Sequence, residues 1–377
     1  ELVIAGAGSG KTRVLTYKIA YLLQKGVHAS NILALTFTNK AAREMKERIA
    51  RLVPAADARY LWMGTFHSVC ARLLRTEAER LGFTRDFSIY DTADSKSVLK
   101  QILKEQQLDE KIYKVGNVLG RISTAKNMLI SPDEYAHSHD FYKADSEVRM
   151  YKMAEVYQAY QVRLKAANAM DFDDLLINMN ALMEQDAEVR DKYQQAFQYV
   201  LVDEYQDTNY VQYLLVKHLA EPQNRICVVG DDAQSIYSFR GADIRNILGF
   251  QRDYPHSHLY KLERNYRSTQ TIVNAANSLI HHNEHQIPKE VYSEKEEGQR
   301  IDLNAYMSDR DEGEAVAKAI SKDHTLLRRD YNDMAILYRT NAQSRAFENE
   351  LRKRNIPYRI YGGTSFYQRK EIKDAIA

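Results

Sequence analysis

The fold of this chain is decided by the stretch Ala5-Gly6-Ala7-Gly8-Ser9-Gly10-Lys11-Thr12. The apolar run Leu2-Val3-Ile4 precedes it, and a helical pattern over residues 13–25 follows it. A strand, a glycine-rich turn and a helix N-terminus together bind phosphate, because the backbone N–H groups of the turn point inward and the helix end carries partial positive charge. The sequence therefore predicts a phosphate-binding loop, whose contributing residues are Ala7, Gly8, Ser9, Gly10, Lys11 and Thr12.

Lys11 and Thr12 are the side chains of this loop with a defined chemistry. A lysine at this position reaches the β- and γ-phosphates of a nucleotide, and the hydroxyl that follows it holds Mg²⁺. The usual pattern begins with glycine where this chain has Ala5, so Gly6 and its neighbouring glycines supply the flexible backbone instead. The alternative is a glycine-rich turn with an unrelated lysine, and the later motifs weaken that alternative.

Composition sets broad limits on the class of protein. A chain of 377 residues is long enough for two or three domains. No apolar run approaches the roughly 20 residues of a membrane span. The net charge of +2 neither favours nor excludes nucleic acid, so any basic groove must be local. The only cysteines, Cys70 and Cys227, argue against a disulfide scaffold and favour a reducing, cytoplasmic compartment.

Alternating strand and helix patterns predict an α/β fold with a parallel sheet. Buried strands are indicated at residues 32–35, 199–202 and 226–229, and a short strand is indicated at residues 259–262. Between residues 87 and 169 the apolar residues recur only at helical spacing, which predicts an all-helical insertion.

After Ser268 a second α/β pattern begins. Its predicted helices cover 269–283 and 342–354, and its predicted strands cover 334–338 and 358–361. We therefore expect a first α/β domain over 1–86 and 170–262, a helical insertion over 87–169, and part of a second α/β domain over 263–377.

An acidic pair, Asp203-Glu204, follows the apolar run that ends at Val202. Ligands in open α/β sheets bind outside the carboxyl ends of the strands. A phosphate loop needs a carboxylate for Mg²⁺, and hydrolysis needs a base for water. We predict that Asp203 holds the metal and that Glu204 is the base. The alternative is a solvated strand end, which the Gly-Lys-Thr loop makes less favourable.

Four aromatic residues stand in or beside strand-end motifs, next to threonine, asparagine, serine or arginine: Phe37, Phe172, Tyr237 and Phe239. Binding of single strands without sequence preference needs aromatic faces for bases and polar or cationic groups for phosphates. Core packing explains any one of these rings equally well. As a set at strand ends, they favour binding to single-stranded nucleic acid.

Taken together, the motifs resemble those of the UvrD/Rep/PcrA group of superfamily 1 DNA helicases. The order along the chain is the same, with the phosphate loop at 5–12, TFTNKAA at 36–42, GTFHS at 64–68, MDFDDL at 170–175, DEYQD at 203–207, GDDAQSIYSFRGA at 230–242 and NYRS at 265–268. The segments YRTNAQSR at 338–345 and IYGG at 360–363 resemble the second motor domain of the group.

The resemblance implies a RecA-like P-loop NTPase sheet followed by part of a second RecA-like domain, with ATP and Mg²⁺ bound in the cleft between them. The implied activity is 3′ to 5′ movement on single-stranded DNA and separation of duplex at single-strand/double-strand junctions, in DNA repair or replication. A monomer is expected, with repair or replication proteins as partners and no membrane association.

The resemblance also implies roles for individual residues. Gln234 would contact the γ-phosphate, and Arg267 would be an arginine finger, a group worth on the order of 10³–10⁵ in rate. Tyr266 would stack on adenine, and Arg13 would lie beside the nucleotide. The stacking pockets for DNA would be formed by the four aromatic residues named above, with Thr38, Asn39, His67 and Arg240 nearby. The group usually has tryptophan where Phe239 stands, which predicts weaker stacking there.

Some motifs of the group are missing from the chain. The glutamine motif that reads adenine normally precedes the phosphate loop, and the last motifs, including a second arginine finger, follow the region present here. We therefore expect a piece of a longer enzyme with weak or no activity by itself. Two alternatives stay open: the motor portion of a helicase–nuclease, and a single-stranded DNA-binding module that responds to ATP without hydrolysing it. Glu204 argues against the second, because such a module needs no base for water.

Overall fold

The computed structural model of the chain describes residues 1–54 and 59–361. Two compact units are present, Glu1–Gln299 and Arg300–Ala377. The domain boundaries predicted after residues 86, 169 and 262 stay a prediction. Gly362-Gly363, part of the IYGG segment quoted above, lies outside the described residues.

The first unit is built on a six-stranded sheet with the order β3-β2-β6-β7-β1-β8, in which every pairing is parallel. The prediction of a parallel α/β fold is therefore confirmed. The strands among the described residues are β1 (Leu2–Ala5), β2 (Ile32–Thr36), β3 (Trp62–Thr65), β4 (Ser88–Tyr90), β5 (Ala169–Asp171), β6 (Tyr199–Val202), β7 (Ile226–Gly230), β8 (Leu259–Leu262), β9 (Arg264–Asn265) and β10 (Tyr292–Ser293).

Helices cover both faces of this sheet and fill the insertion. They are α1 (Lys11–Gln24), α2 (Asn39–Ala50), α3 (Phe66–Glu77), α4 (Thr92–Glu105), α5 (Val115–Asn127), α6 (Pro132–His137), α7 (His139–Glu147), α8 (Met153–Ala166), α9 (Phe172–Gln185), α10 (Ala187–Ala196), α11 (Tyr210–Ala220), α12 (Arg245–Leu248), α13 (Phe250–Asp253), α14 (Gln270–Ile280), α15 (Asp309–Leu327) and α16 (Ser344–Lys353). Within the described residues, no helix combines the length and the apolar character needed to cross a membrane.

The central strands β1, β2, β6 and β7 are almost wholly apolar because each faces a core on both sides. Leu33 and Val200 belong to one buried cluster, whereas Ala34 and Leu201, the next residues along the same strands, belong to the cluster on the opposite face. Successive side chains of a strand point to opposite faces, so this alternation places a core on each side of the sheet. Since the strands are parallel, their carboxyl ends meet at one edge, which is where the predicted site residues begin.

The insertion has a core of its own, formed by side chains such as Leu99, Val118, Ile122 and Tyr160. Its interior is helical, but its ends are not. The short strand β4 pairs in parallel with β5, with Ser88 opposite Ala169. The expectation that no strand occurs between 87 and 169 is therefore wrong at β4. Three residues are too few to give a periodic signal, and the pairing partner lies far along the chain.

The described part of the second unit contains α15 and α16, which pack around Ala317, Leu351 and Ile356. The strands predicted at 334–338 and 358–361 are wrong for the part of the unit that the structure describes, because those residues are not paired in a sheet. A strand forms only when its N–H and C=O groups find a neighbouring strand. The apolar pattern of the segments does not specify that neighbour.

Candidate functional site

The phosphate loop lies between the end of β1 and the start of α1. Gly8 has φ 72° and Gly10 has φ 98°, both in the left-handed region that favours glycine. Gly10 is the N-cap of α1 and no side chain caps this end, so the first N–H groups of the helix point into the loop. Ser9 Oγ donates to Gly6 O at 2.6 Å and closes the turn. This backbone has the geometry that binds anions.

Lys11 lies against the predicted base. Its Nζ is 2.8 Å from Glu204 Oε2, which brings the phosphate loop and the acidic pair to the same point. The backbone of Glu204 is left-handed, with φ 47°, a conformation that costs energy in a residue with a Cβ. The strand end at Val202 is therefore followed by a sharp turn that directs consecutive carboxylates to different partners.

Asp203 is the buried member of the acidic pair. Its backbone N–H donates to Leu35 O at 2.9 Å, and its Oδ1 accepts from Glu204 N at 3.1 Å. Burial raises the pKa of Asp203 to about 6; the charge of Glu204 adds to the rise and Lys11 opposes it. A divalent cation beside this carboxylate would favour its ionised form.

The residues present fit a magnesium ion that is shared with a nucleotide. In residues 1–54 and 59–361, no cluster of three or more His, Cys, Asp and Glu side chains could hold a metal by itself. Mg²⁺ in nucleotide sites takes one or two protein ligands and completes its shell with phosphate oxygens and water. Asp203, with Thr12 in the first turn of α1, suits that arrangement. Asp207 Oδ1 is also buried without a hydrogen-bond partner, and burial raises the pKa of Asp207 to about 6.

A chain of hydrogen bonds joins Glu204 to Gln234. Gln206 Nε2 donates to Glu204 Oε2 at 2.9 Å, and Gln206 Oε1 accepts from Asp231 N at 3.0 Å. Asp231 Oδ2 then accepts from Gln234 Nε2 at 2.6 Å. A Cβ at Gly230 would lie 2.7 Å from Gln206 Oε1, so glycine is needed where β7 passes this amide. The sequence did not single out Gln206 or Asp231, although both stand inside quoted motifs.

The NYRS segment is hydrogen-bonded to the phosphate loop. Asn265 Nδ2 donates to Ala7 O at 2.6 Å, and Tyr266 N donates to Gly8 O at 3.0 Å. Asn265 Oδ1 accepts from the N–H of Arg267 at 2.8 Å and so fixes the backbone that carries the arginine. No local pattern assigns Asn265 a role, because its partner lies 258 residues away along the chain.

Near the phosphate loop, two arginine guanidinium groups lie over tyrosine rings. The Arg264 guanidinium lies 4.8 Å from the Tyr266 ring centroid, and the Arg13 guanidinium lies 5.3 Å from that of Tyr17. Tyr266 and Arg13 are both exposed. Both are therefore accessible to a ligand that occupies the loop.

The predicted DNA residues fall into two aromatic groups. In the first, Phe37 is half-buried and packs edge-on against Phe66 at 5.9 Å. Phe172 is 48% exposed, and the His67 ring meets it edge-on at 5.8 Å. Burial lowers the pKa of His67, which favours the neutral imidazole. Phe37 therefore combines core packing with an accessible side, whereas Phe172 presents a free face.

Thr38 and Asn39 flank the first group at the start of α2. Thr38 Oγ1 accepts from Ala41 N at 3.1 Å and caps the helix, so Thr38 has a structural role besides the predicted one. Asn39 is exposed. The N-cap leaves the Thr38 backbone and the Asn39 side chain on the outer surface.

The second aromatic group consists of Tyr237, Phe239 and Arg240. The two rings are 38% and 72% exposed, with centroids 6.0 Å apart. The Arg240 guanidinium lies 5.2 Å from the Tyr237 centroid and 5.4 Å from the Phe239 centroid. Exposed rings with a shared cation form the kind of surface on which bases stack beside a neutralised phosphate.

A buried ion-pair network holds the backbone on either side of Phe172. Lys126 Nζ is 2.7 Å from a carboxylate oxygen of Asp171 and 2.7 Å from one of Asp174. The Tyr160 hydroxyl donates to Asp171 Oδ2 at 2.9 Å. Burial raises the pKa of Asp174 to about 6, while the Lys126 ammonium keeps the pKa of Asp171 below its usual value. Lys126 and Tyr160 belong to the insertion, so this network joins the insertion to the Phe172 position.

Comparison with known proteins gives matches along the whole chain. The family model of the UvrD/REP helicase N-terminal domain matches residues 1–255, and that of the UvrD-like helicase C-terminal domain matches residues 260–377. The chain is 50% identical over 377 residues to the ATP-dependent DNA helicase PcrA of Staphylococcus aureus (strain COL) and to that of Staphylococcus epidermidis (strain ATCC 12228 / FDA PCI 1200). These alignments cover 100% of this chain but only 50% and 51% of the relatives, so the chain spans about half their length.

Proposed function

Because the chain belongs to the UvrD/REP helicase family, we propose that it is the ATP-hydrolysing motor portion of a DNA helicase. The observation that carries this proposal is the convergence of three segments on one loop. Glu204 contacts Lys11 at 2.8 Å, and Tyr266 N donates to Gly8 O at 3.0 Å. A phosphate-binding loop, a candidate base and a candidate arginine finger, Arg267, thereby meet around one position.

The first step is binding of the nucleotide by the loop. The backbone N–H groups at the start of α1 and the Lys11 ammonium bind phosphate oxygens, and Thr12 with Asp203 would hold a magnesium ion. Such an ion would supply positive charge to the phosphate groups of ATP. Arg13 and Tyr266, exposed at the rim, contact the rest of the nucleotide.

Nucleotide binding would also change the partner of Glu204, because Glu204 is paired with Lys11 in this structure. While Glu204 is paired with Lys11, its Oε2 accepts from the Lys11 ammonium and from Gln206 Nε2, so this oxygen is not available to a water molecule. Phosphate oxygens in the loop compete for Lys11 and release Glu204, which then takes a proton from the attacking water. Occupation of the loop therefore prepares the base, and Arg267 stabilises the charge that develops on the phosphoryl group.

The DNA site lies at the same edge of the sheet as the nucleotide site. Phe37, His67 and Tyr237 follow the carboxyl ends of β2, β3 and β7 or the turns after them. We propose that their rings, with Phe172 and Phe239, stack on the bases of single-stranded DNA. Gln234, whose amide donates to Asp231 at 2.6 Å, is proposed to couple this surface to the γ-phosphate. By the family resemblance we extend the proposal to 3′ to 5′ movement, to duplex separation at junctions, and to DNA repair or replication.

A binding measurement on Lys11 variants tests the proposal. Lys11→Ala removes the cation of the loop and is expected to abolish binding of a fluorescent ATP analogue. The matched control is Lys25→Ala, because Lys25 is exposed at the far end of α1. Equal affinity of the Lys11→Ala variant and the parent chain for the analogue would show that the loop does not bind the phosphates.

A further inference from the structure

Two buried carboxylates outside the phosphate loop share one lysine. Lys289 Nζ is 3.1 Å from Asp231 Oδ1 and 2.5 Å from Asp232 Oδ1. The side chains are 6%, 3% and 1% exposed respectively. The backbone N–H of Ile287 donates to the other oxygen of Asp232 at 2.9 Å. The segment after α14 therefore holds the turn after β7, although Lys289 and Asp232 are 57 residues apart.

The shared lysine is connected to the nucleotide site. Asp231 uses one carboxylate oxygen for Lys289 and the other for Gln234 Nε2, at 2.6 Å. Its backbone N–H donates to Gln206, whose amide donates to Glu204. A continuous series of polar contacts therefore leads from Lys289 through Asp231 to Glu204, and a branch leads to Gln234.

We propose that Lys289 is a positioning residue for Gln234, and that it maintains the coupling between the nucleotide and single-stranded DNA. A carboxylate buried without a cation is unfavourable and turns toward any donor available. Without Lys289, Asp231 would have Gln234 and its own turn as its remaining side-chain and backbone donors. The Asp231 carboxylate would then move toward these remaining donors, and the Gln234 amide that is bonded to it would move from its present position. The inference rests on the proposed function, since it concerns the same site.

The competing explanation is that Lys289 only stabilises the fold. Variants that differ in the net charge of the cluster distinguish this explanation from the positioning role. The cluster of two carboxylates and one ammonium carries a formal charge of −1. Lys289→Met leaves −2 in the same buried space. The double variant Lys289→Met/Asp232→Asn restores −1, but Asp231 still lacks its cation. Lys289→Arg keeps the charge and can contact both carboxylates.

The experiment measures DNA-stimulated ATP hydrolysis and thermal stability of these variants in the full chain. For Lys289→Met we expect kcat to fall about tenfold or more, because misplacing a catalytic group by about 1 Å can cost 10²-fold. KM for ATP should stay within about threefold, because Lys289 does not line the phosphate loop. The ratio of single-stranded DNA affinities with and without a non-hydrolysable ATP analogue should approach one, because that ratio reports the coupling.

The double variant decides between positioning and stability. We expect its melting temperature to recover while kcat per folded molecule stays low, and we expect Lys289→Arg to recover kcat. Recovery of kcat together with stability in the double variant would overturn the inference, as would an unchanged kcat in folded Lys289→Met. Lys100→Met, at an exposed position on α4, is the control. If the parent chain does not bind the ATP analogue, the proposed function fails, whereas the outcomes above overturn only the role of Lys289.

Discussion

Gly8→Ala tests the contact between the phosphate loop and the NYRS segment. A Cβ at this position would lie 2.8 Å from Arg267 Cβ and 2.9 Å from Asn265 Nδ2, in a residue whose φ is +72°. The left-handed backbone costs about 1–2 kcal/mol once a Cβ is present. Moving the segment away also weakens two hydrogen bonds, from Asn265 Nδ2 and Tyr266 N, at about 1 kcal/mol each. The expected loss in free energy of unfolding is therefore about 3–4 kcal/mol.

Gly26→Ala is the matched control for this prediction. Gly26 has φ +86°, and a Cβ there meets nothing within 4 Å. The control should lose only the backbone cost of about 1–2 kcal/mol. Denaturant unfolding measures both variants, and titration with a fluorescent ATP analogue shows whether Gly8→Ala alone weakens nucleotide binding. Equal losses in both assays for the two variants would refute the packing of Arg267 against the loop.

Three further outcomes are expected. Burial raises the pKa of Asp203 to about 6, so this carboxylate is protonated at lower pH. The affinity for Mg-nucleotide should therefore fall about tenfold per pH unit well below pH 6. In a pH titration of the Asp203→Asn variant, this dependence on pH should be absent. Lys126→Met leaves two carboxylates without their buried cation and should lower the free energy of unfolding by about 3–5 kcal/mol in denaturant unfolding. Lys100→Met, at an exposed position, should change that free energy by about 0.5 kcal/mol or less. Similar losses for the two variants would contradict the buried ion pair. Tyr237→Ala removes a stacking face worth roughly 1–3 kcal/mol, so the affinity for single-stranded DNA should fall about 5–150-fold in fluorescence anisotropy. Nucleotide binding in the absence of DNA should be unchanged. An unchanged affinity for DNA would exclude Tyr237 from the DNA site.

The parts of the fold that the sequence predicted are those with local signals. Three signals lie within a few residues of one another: the apolar run before Ala5, the glycines, and the helical periodicity after Lys11. Together they predict β1, the phosphate loop and α1. The strand that ends at Val202 is readable for the same reason. Because strands of this type are parallel, their carboxyl ends had to meet, which is why Glu204 could be expected near Lys11.

The remaining features depend on partners far along the chain. The contact of Asn265 with Ala7 and that of Lys289 with Asp232 join segments that no local pattern connects. Strand pairing has the same limit. Ser88–Tyr90 forms a strand because Ala169–Asp171 is beside it, whereas residues 334–338 have no such neighbour among residues 1–54 and 59–361 and form none. Thr38 was predicted as a residue of the DNA site, and the structure shows that its hydroxyl also caps α2.

The most direct test of the central claim is the rate of ATP hydrolysis as single-stranded DNA is added, measured for the parent chain and for Glu204→Gln. We expect a low rate that rises with DNA in the parent. In the variant we expect no hydrolysis, with binding of the ATP analogue intact, because Glu204 is required for the proton transfer and not for holding phosphate. A rate that ignores DNA, or a Glu204→Gln variant that hydrolyses ATP as fast as the parent, would contradict a motor built on this loop and this acidic pair.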